Sequence, residues 1–397
     1  MTRLRFLTAG ESHGPSLTGI LEGLPAGLRL DAATIDRDLA RRQRGFGASG
    51  RMKIERDHAR ITAGVMAGVT TGGPIALSID NLDHAAWAQR DTPPMTIPRP
   101  GHADLTGAVK YGYRDLRLSL ERASARETAM RVAVGAACRA LLAEFGIAIG
   151  GYVTSIGTVS VPAGETPRDP AAFAERFRRA ESSEVRCHDE ATATRMHEAI
   201  AAAIKARDTL GGVVEVGALH VPPGLGSHMH WDRRLTARLA AAVMSIHAVK
   251  GVEIGDGFDE AARRGTTAHD ELHLEGSAIA ARTNRAGGIE GGISNGAPIV
   301  VRAACKPIAT TLQPLASVDL ASGKTAQTQY ERSDFCQVPR AVPIVEAMVA
   351  IVLADALLEK LGGDSIAEMR PRFERLRSLR LEDLPMQNTP WRFGYEP

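Results

Sequence analysis

Aromatic side chains are scarce in this sequence and make up only 4% of its 397 residues. Proteins that bind single-stranded nucleic acid usually stack bases on aromatic side chains within a basic groove. The formal net charge is also small, +2 from 48 Lys and Arg against 46 Asp and Glu. These two features argue against a nucleic-acid-binding protein, although a nearly neutral chain can still contain a local basic pocket.

Cysteine pairs and common nucleotide-binding motifs are missing as well. No C-x-x-C pair occurs among the four cysteines, Cys138, Cys187, Cys305 and Cys336, which argues against a zinc knuckle or a disulfide framework and fits a reducing cytoplasm. The glycine-rich segment 287–296 precedes a strand and lacks a Gly-Lys-Ser/Thr ending, so it is neither a dinucleotide fingerprint nor a P-loop. A flavoprotein that consumes NAD(P)H remains an alternative.

No segment has the pattern of a signal peptide or a membrane span. The N-terminal strand turns polar from residue 8 onward, before a long apolar core could form. The most apolar stretch of helical length, 341–358, contains Pro343, Glu346 and Asp355, which a lipid-facing span would not readily tolerate. We therefore predict a buried helix there, in a cytoplasmic protein.

Helical and extended patterns alternate along the chain and predict a mixed α and β protein. Strands are expected within 60–80, at 212–219 and at 298–305, and the charged stretch 171–207 is compatible with helix. Caps and apolar spacing predict three further helices: one from the Ser124–Glu127 capping box to Gly146, one from Asp232 to about Gly251, and one from Pro343 to Gly362. No change of composition divides the chain, so we predict one domain over 1–370 and a C-terminal tail over 371–397.

The first candidate site lies where an apolar strand runs directly into Gly10-Glu11-Ser12-His13-Gly14. Histidine titrates near neutral pH and often serves in proton transfer, but a lone histidine in a turn is also compatible with an ordinary structural role. Arginines are concentrated near glycines in three segments, 39–51, 99–104 and 122–127. Guanidinium groups bind carboxylates and phosphates through two oxygens, so these segments predict a small polyanionic ligand unless they are simply solvated basic surfaces.

A metal site is not predicted. His228 and His230 are spaced as a possible pair, but no third ligand follows at a typical distance.

Five segments, taken together and in this order, closely resemble signatures of the chorismate synthase family. They are Gly10-Glu11-Ser12-His13-Gly14, Arg99-Pro100-Gly101-His102-Ala103-Asp104, Ser124-Ala125-Arg126-Glu127-Thr128, Val249-Lys250-Gly251-Val252-Glu253-Ile254-Gly255 and Arg332-Ser333-Asp334.

The resemblance implies a lyase of aromatic amino-acid biosynthesis, the shikimate pathway. Such enzymes form chorismate by anti-1,4 elimination of phosphate and a ring proton from 5-enolpyruvylshikimate 3-phosphate. They require non-covalently held reduced FMN without net redox change. The family fold is an α+β sandwich with helices between antiparallel β-sheets, assembled as a homotetramer. Some members reduce their own flavin with NADPH, and the sequence leaves that point open.

The resemblance also implies roles for individual residues. His13 would protonate the departing phosphate, His102 would donate a proton to the flavin, and Asp334 would lie beside the flavin N5 and help to remove the ring proton. The implied substrate-binding residues are Ser12, Arg42, Arg51, Arg99, Arg126 and Arg332. The implied FMN-binding residues are Arg122, Ala123, Ser124, His247, Ala248, Gly291, Lys306, Pro307, Ile308, Ala309, Thr310 and Arg332.

Overall fold

Strands and helices are interspersed along the parts of the chain that the computed structural model describes, residues 4–48, 55–162, 167–331, 333–390 and 394. The strands are β1 (Arg5–Ala9), β2 (Ser16–Glu22), β3 (Ala59–Ala63), β4 (Val65–Met66), β5 (Val69–Thr70), β6 (Ile75–Asp80), β7 (Ala148–Ile156), β8 (Val159–Ser160), β9 (Gly212–Leu219), β10 (Val249–Ile254), β11 (Leu272–Glu275), β12 (Ala278–Ala281), β13 (Ile289–Glu290), β14 (Ile293–Ser294), β15 (Ile299–Cys305), β16 (Ala316–Asp319) and β17 (Lys324–Gln327). The α-helices are α1 (Ala32–Gln43), α2 (Asp104–Tyr111), α3 (Arg117–Ala123), α4 (Thr128–Ala143), α5 (Pro170–Glu181), α6 (Glu190–Ala206), α7 (Leu235–Met244), α8 (Gly257–Ala261), α9 (Gly265–Ala268), α10 (Val338–Leu361) and α11 (Ile366–Glu374).

Two larger sheets are antiparallel throughout. One has four strands in the order β1-β2-β6-β3, and the other has five in the order β10-β15-β9-β7-β8. In β6 the alternate residues Ile75, Leu77 and Ile79 are buried, because successive side chains of a strand point to opposite faces. The sheet therefore packs one apolar face against helices, and the predicted mixed α+β class with antiparallel sheets is confirmed.

Helices α4 and α10 form the centre of the core. Helix α4 packs against β2 and β6 and also against α10, which in turn packs against β7 and β9. The two helices approach closely at Gly135, where an added Cβ would lie 2.5 Å from the Cα of Ala347. Glycine is thus required at this position by the distance between the helices rather than by its backbone torsions.

Helix α10 is the predicted buried helix. By length and composition this helix could cross a membrane, but its most apolar 18-residue window is entirely buried inside the protein. It begins five residues earlier than expected, at Val338, so Pro343 lies inside it rather than at its start. Proline has no N–H for the carbonyl four residues earlier. The Arg186 Nη1 donates to that carbonyl, Pro339 O, at 3.3 Å and replaces the missing helical hydrogen bond.

Two other predicted helix boundaries were wrong, the end of α7 and the start of α4. Helix α7 ends at Met244, because residues 249–254 pair with β15 as strand β10 and so place Gly251 in a sheet. Helix α4 begins at Thr128, after a 3₁₀ turn over Ala125–Glu127. Helix α11 spans Ile366–Glu374, and backbone hydrogen bonds then join residues 379 and 381 to the segment 277–279.

Replacing Gly135 with alanine is expected to destabilise the protein by about 2 kcal/mol, because the new methyl group meets backbone atoms of α10 that cannot turn away. Urea denaturation followed by circular dichroism measures the loss. The matched control is Gly265→Ala in α9, where an added Cβ meets no atom of the described residues within 4 Å and stability should be equal or slightly higher. Equal stability of the two variants would contradict this account of the α4–α10 contact.

Candidate active site

His13 is held by one carboxylate that contacts it twice. Its backbone N–H donates to Glu121 Oε2 at 2.7 Å, and its ring Nδ1 lies 2.7 Å from Glu121 Oε1. Burial raises the pKa of Glu121, but the hydrogen bonds and charge of His13 outweigh burial, so this pKa lies below its usual range. The neighbouring Ser12 is buried, and its N–H donates to the carbonyl of Glu121 at 3.1 Å. The end of α3 thus fixes the loop that follows β1.

Asn81, which directly follows β6, joins this loop to the arginine cluster. Its side-chain amide donates to the carbonyls of Glu11 at 3.1 Å and Gly14 at 2.7 Å. Its carbonyl oxygen accepts from Arg126 Nε at 2.8 Å. One side chain therefore fixes the spacing between His13 and Arg126.

Arg42 and Arg126 share a buried counterion. Asp57 accepts from Arg42 Nη1 at 3.2 Å through one oxygen and from Arg126 Nη1 at 2.5 Å through the other, and its side chain is 0% exposed. Burial and then the nearby Arg340 lower the pKa of Arg42 to about 9, so it remains charged at neutral pH. Arg340 donates to the Arg42 carbonyl at 3.0 Å and forms an ion pair with Asp334. The predicted residues Arg42, Arg126 and Asp334 are therefore brought together.

Arg99, His102 and Asp104 form a second carboxylate-centred group at the start of α2. Asp104 accepts from Arg99 Nε at 2.8 Å, and its other oxygen lies 2.5 Å from His102 Nδ1. Burial raises the pKa of Asp104, but the hydrogen bonds from His102 and Arg99 hold it well below its usual range. Arg99 Nη1 also donates to Thr310 Oγ1 at 3.2 Å. This contact links the group to the segment 306–310.

The segment 306–310 contains five of the predicted FMN-binding positions and contacts a sixth, Ala248. The Lys306 side chain donates to the carbonyl of Gly101, and its backbone N–H donates to the Ala248 carbonyl at 2.9 Å. Ile308 accepts from Thr209 Oγ1 at 2.9 Å, and the Thr310 carbonyl accepts from Ser333 Oγ at 3.0 Å. Residues 307 and 309 lie between these anchors. Ser333 precedes Asp334, so this segment lies between the His102 group and the arginine cluster.

A pocket of about 390 Å³ lies beside Arg122 and His247. Arg122 Nη2 donates to Thr8, and Ser124 Oγ accepts from the Arg126 N–H as predicted for a helix cap. Burial lowers the pKa of His247 although the carboxylate of Glu127 opposes this effect. The lining of the pocket consists of Phe6, Leu7, Thr8, Arg122, Glu127, Arg131, Ser245 and His247. Ala123, the last residue of α3, follows Arg122 directly.

Gly291 is not brought together with the other predicted FMN-binding residues. It lies in the turn between β13 and β14, whose next residue, Gly292, accepts a hydrogen bond from Leu235 at the beginning of α7. His247 and Ala248 follow the other end of α7, which has 10 residues and is therefore roughly 15 Å long. The predicted residues Arg51 and Arg332 lie outside the described residues.

Sequence reasoning missed the groups that hold the predicted residues in place. Asp57, Asn81, Glu121 and Arg340 carry none of the assigned roles, yet each contacts a residue that does. One signal was available for Arg340, because an arginine at the start of a strongly apolar helix requires a partner. Asn81 stands directly after a strand, where polar side chains often serve a site.

Taken together, several guanidinium groups, Lys306 and two carboxylate-paired histidines converge on one region. Such a region can bind a small polyanion and exchange protons with it. Within the described ranges, no group of three or more His, Cys, Asp or Glu side chains is arranged to hold a metal ion.

Comparison with known proteins gives a consistent result. The family model of chorismate synthase matches residues 4–358. The chain is 51% identical over 383 residues to a chorismate synthase of Syntrophotalea carbinolica, covering 94% of this chain and 98% of that protein. It is 53% identical over 391 residues to one of Desulforudis audaxviator, covering 95% and 99%.

A solved structure is also similar. The crystal structure of a chorismate synthase superposes with a TM-score of 0.79 at 46% identity, covering 94% of this chain and 97% of that one. The chain belongs to the chorismate synthase family, the phosphate-eliminating lyases of the shikimate pathway that convert 5-enolpyruvylshikimate 3-phosphate to chorismate.

Proposed function

We propose that this chain performs the family's elimination in the region between His13, His102 and Asp334, with reduced FMN bound beside them. The observation that carries the proposal is that these three residues, far apart in sequence, are joined through Asn81, Arg126 and the segment 306–310. The substrate has two carboxylates and a phosphate, and the surrounding guanidinium groups match that charge.

The substrate is held by Arg42, Arg99 and Arg126, together with Ser12, Arg51 and Arg332. Arg42, Arg99 and Arg126 are nearly buried, so their charges act in a medium that screens them less than water does. Each already has a carboxylate partner, which keeps its guanidinium oriented before the substrate arrives. The orientation reduces the entropy that substrate binding would otherwise cost.

Proton transfer is divided among three residues. The elimination breaks the C–O bond to phosphate and removes a ring proton, so the leaving group gains negative charge as the bond breaks. His13 protonates the departing phosphate and neutralises that charge. Asp334, oriented by Arg340, helps to remove the ring proton. His102, whose Nδ1 contacts Asp104, would donate a proton to the flavin when it is bound.

The residues around the 390 Å³ pocket fit an anionic flavin nucleotide. None of the residues that the structure describes hydrogen-bonds the buried Nδ1 of His247, so this nitrogen is available to a ligand. Ala248 follows in the same turn with a left-handed backbone, φ +66. Arg122, Ala123, Ser124 and the segment 306–310 would complete the FMN site, with Gly291 and Arg332 as further contacts. When bound, reduced FMN supplies reducing equivalents that the reaction does not consume.

The assembly follows the family. We propose a cytoplasmic homotetramer in which α1, α4 and α10 lie between the two larger antiparallel sheets as a sandwich, with residues 1–370 as the catalytic domain and 371–397 as a tail. The packing of α4 on β2 and β6 and of α10 on β7 and β9 supports this layering. A second chain would also explain how Gly291 contacts FMN although it is distant from the other FMN positions of its own chain. Neither nucleic acid nor membrane is a partner in this proposal.

The activity is tested anaerobically with purified protein, chemically reduced FMN and 5-enolpyruvylshikimate 3-phosphate. We expect chorismate absorbance and free phosphate to appear in equal amounts, without lasting oxidation of the flavin. A parallel reaction with NADPH in place of the chemical reductant shows whether the protein reduces its own flavin. A folded protein that binds FMN but releases neither product would refute the assignment.

His13→Ala and Asp334→Ala should each retain FMN affinity, measured by flavin fluorescence, while turnover falls by a factor of about 100 or more. The reason is that each residue acts on the substrate rather than on cofactor binding. His269→Ala, at an exposed histidine, is the control and should keep normal turnover. A variant with normal turnover would remove its residue from the mechanism.

Asp57→Asn should destabilise the protein by about 3–5 kcal/mol, because it removes the charge that compensates two buried guanidinium groups. The KM for the substrate should rise as Arg42 and Arg126 lose their orientation. Chemical denaturation and steady-state kinetics measure the two effects. In the control, Asp80→Asn, the carboxylate belongs to an exposed pair with Arg60, 57% and 64% exposed, so less than about 1 kcal/mol should be lost. Equal losses in both variants would show that the buried pair does not form.

A further inference from the structure

Glu121 is the one carboxylate that the described structure places against both the backbone and the ring of His13. Oε2 accepts the backbone N–H and Oε1 contacts Nδ1, each at 2.7 Å. The two side chains are only 19% and 15% exposed, so water screens the contact weakly. Neither the family resemblance nor the proposed mechanism assigns Glu121 a role.

The charge state of Glu121 determines which ring nitrogen carries hydrogen. The pKa of Glu121 is held below its usual range despite burial, so the carboxylate is ionised at neutral pH and can only accept hydrogen bonds. The contact to Nδ1 then requires a hydrogen on Nδ1. In the neutral ring the other nitrogen, Nε2, is unprotonated, and protonation of the ring occurs there.

Further contacts prevent the ring from turning to another arrangement. His84 Nδ1 contacts the His13 carbonyl at 2.8 Å, which fixes the backbone from the 3₁₀ turn after β6. The ring of Trp87 lies against the ring of His13 with centroids 4.5 Å apart. Among the described residues, the titratable groups placed against His13 are Glu121 from α3 and His84 from the 3₁₀ turn, and the charge of Arg117 acts on Glu121.

We propose that Glu121 is a positioning residue that holds His13 as the Nδ1–H tautomer and makes Nε2 the atom that transfers the catalytic proton. The proposal rests on the proposed role of His13 as the acid. In the step, protonated His13 gives its Nε2 proton to the departing phosphate, which also takes the electrons of the C–O bond. The product ring is the neutral Nδ1–H form, which Glu121 already favours, so no rearrangement is needed. Asp104 makes the same kind of contact to His102 Nδ1.

Glu121→Gln tests the proposal because glutamine keeps the shape of glutamate and removes its charge. We expect kcat to fall about 10- to 100-fold, by analogy with the loss seen when the hydrogen-bond partner of a metal-ligating histidine is removed, with little change in KM or FMN affinity. The control is Glu275→Gln in β11, which alters a glutamate that contacts His273 Nε2 at 2.9 Å. This variant should leave kcat and KM unchanged.

A spectroscopic measurement tests the tautomer without relying on turnover. In protein labelled with ¹⁵N-histidine, the His13 signals, identified by their absence from His13→Gln, should show hydrogen on Nδ1 at high pH in the wild type and a mixed population in Glu121→Gln. Hydrogen on Nε2 in the wild type would overturn the proposal, as would an unchanged kcat in Glu121→Gln. If Glu121→Gln does not fold, the wild-type spectrum alone tests which ring nitrogen of His13 carries hydrogen. Normal turnover of His13→Ala would instead refute the acid role of His13. The spectra distinguish that result from a wrong assignment of the tautomer.

Discussion

The compensation of buried arginine charge is the constraint on which the site depends. A guanidinium cannot lose its proton at neutral pH, so each one removed from water needs acceptors. Arg42 and Arg126 share Asp57, Arg99 pairs with Asp104, and Arg340 pairs with Asp334. Each of these buried cations is therefore offset by an anion, in keeping with a formal net charge of only +2. In the proposed substrate site, positive charge is present as oriented ion pairs rather than as an excess of cations.

This constraint also explains why loops far apart in sequence meet. The pair Arg126–Asp57 joins residues 69 positions apart, and the contact of Glu121 with His13 joins residues 108 positions apart. The helices and sheets provide the frame, since these loops begin or end at β1, β6, α1 and α3. Each loop then carries a side chain that satisfies a charge or a backbone group on another. The site forms where these requirements are met together.

Local signals in the sequence predicted much of the framework. Strand β9 occupies the predicted residues 212–219 because branched apolar residues between glycines favour an extended strand. The start of α10 was misplaced because proline usually marks the first turn of a helix, and only a distant side chain, Arg186, makes Pro343 acceptable inside it. The motif residues His13 and His102 were found from their strings, whereas Asp57 and Glu121 were missed. Nothing within a few positions of either residue shows which charge it will face, since that depends on tertiary packing.

The close approach of α4 and α10 links the core to the site geometry. Gly135 and Ala347 meet seven residues, or roughly 10 Å, from Thr128 and Arg340 near the two helix starts. Thr128 accepts a hydrogen bond from Arg42, and Arg340 forms the pair with Asp334. The spacing of the two helices therefore bears on the separation between Arg42 and Asp334, the proposed substrate-binding arginine and catalytic carboxylate. Packing in the apolar interior therefore contributes to the geometry of the active site. A substitution in the core can change the turnover rate of an enzyme although every catalytic residue is retained.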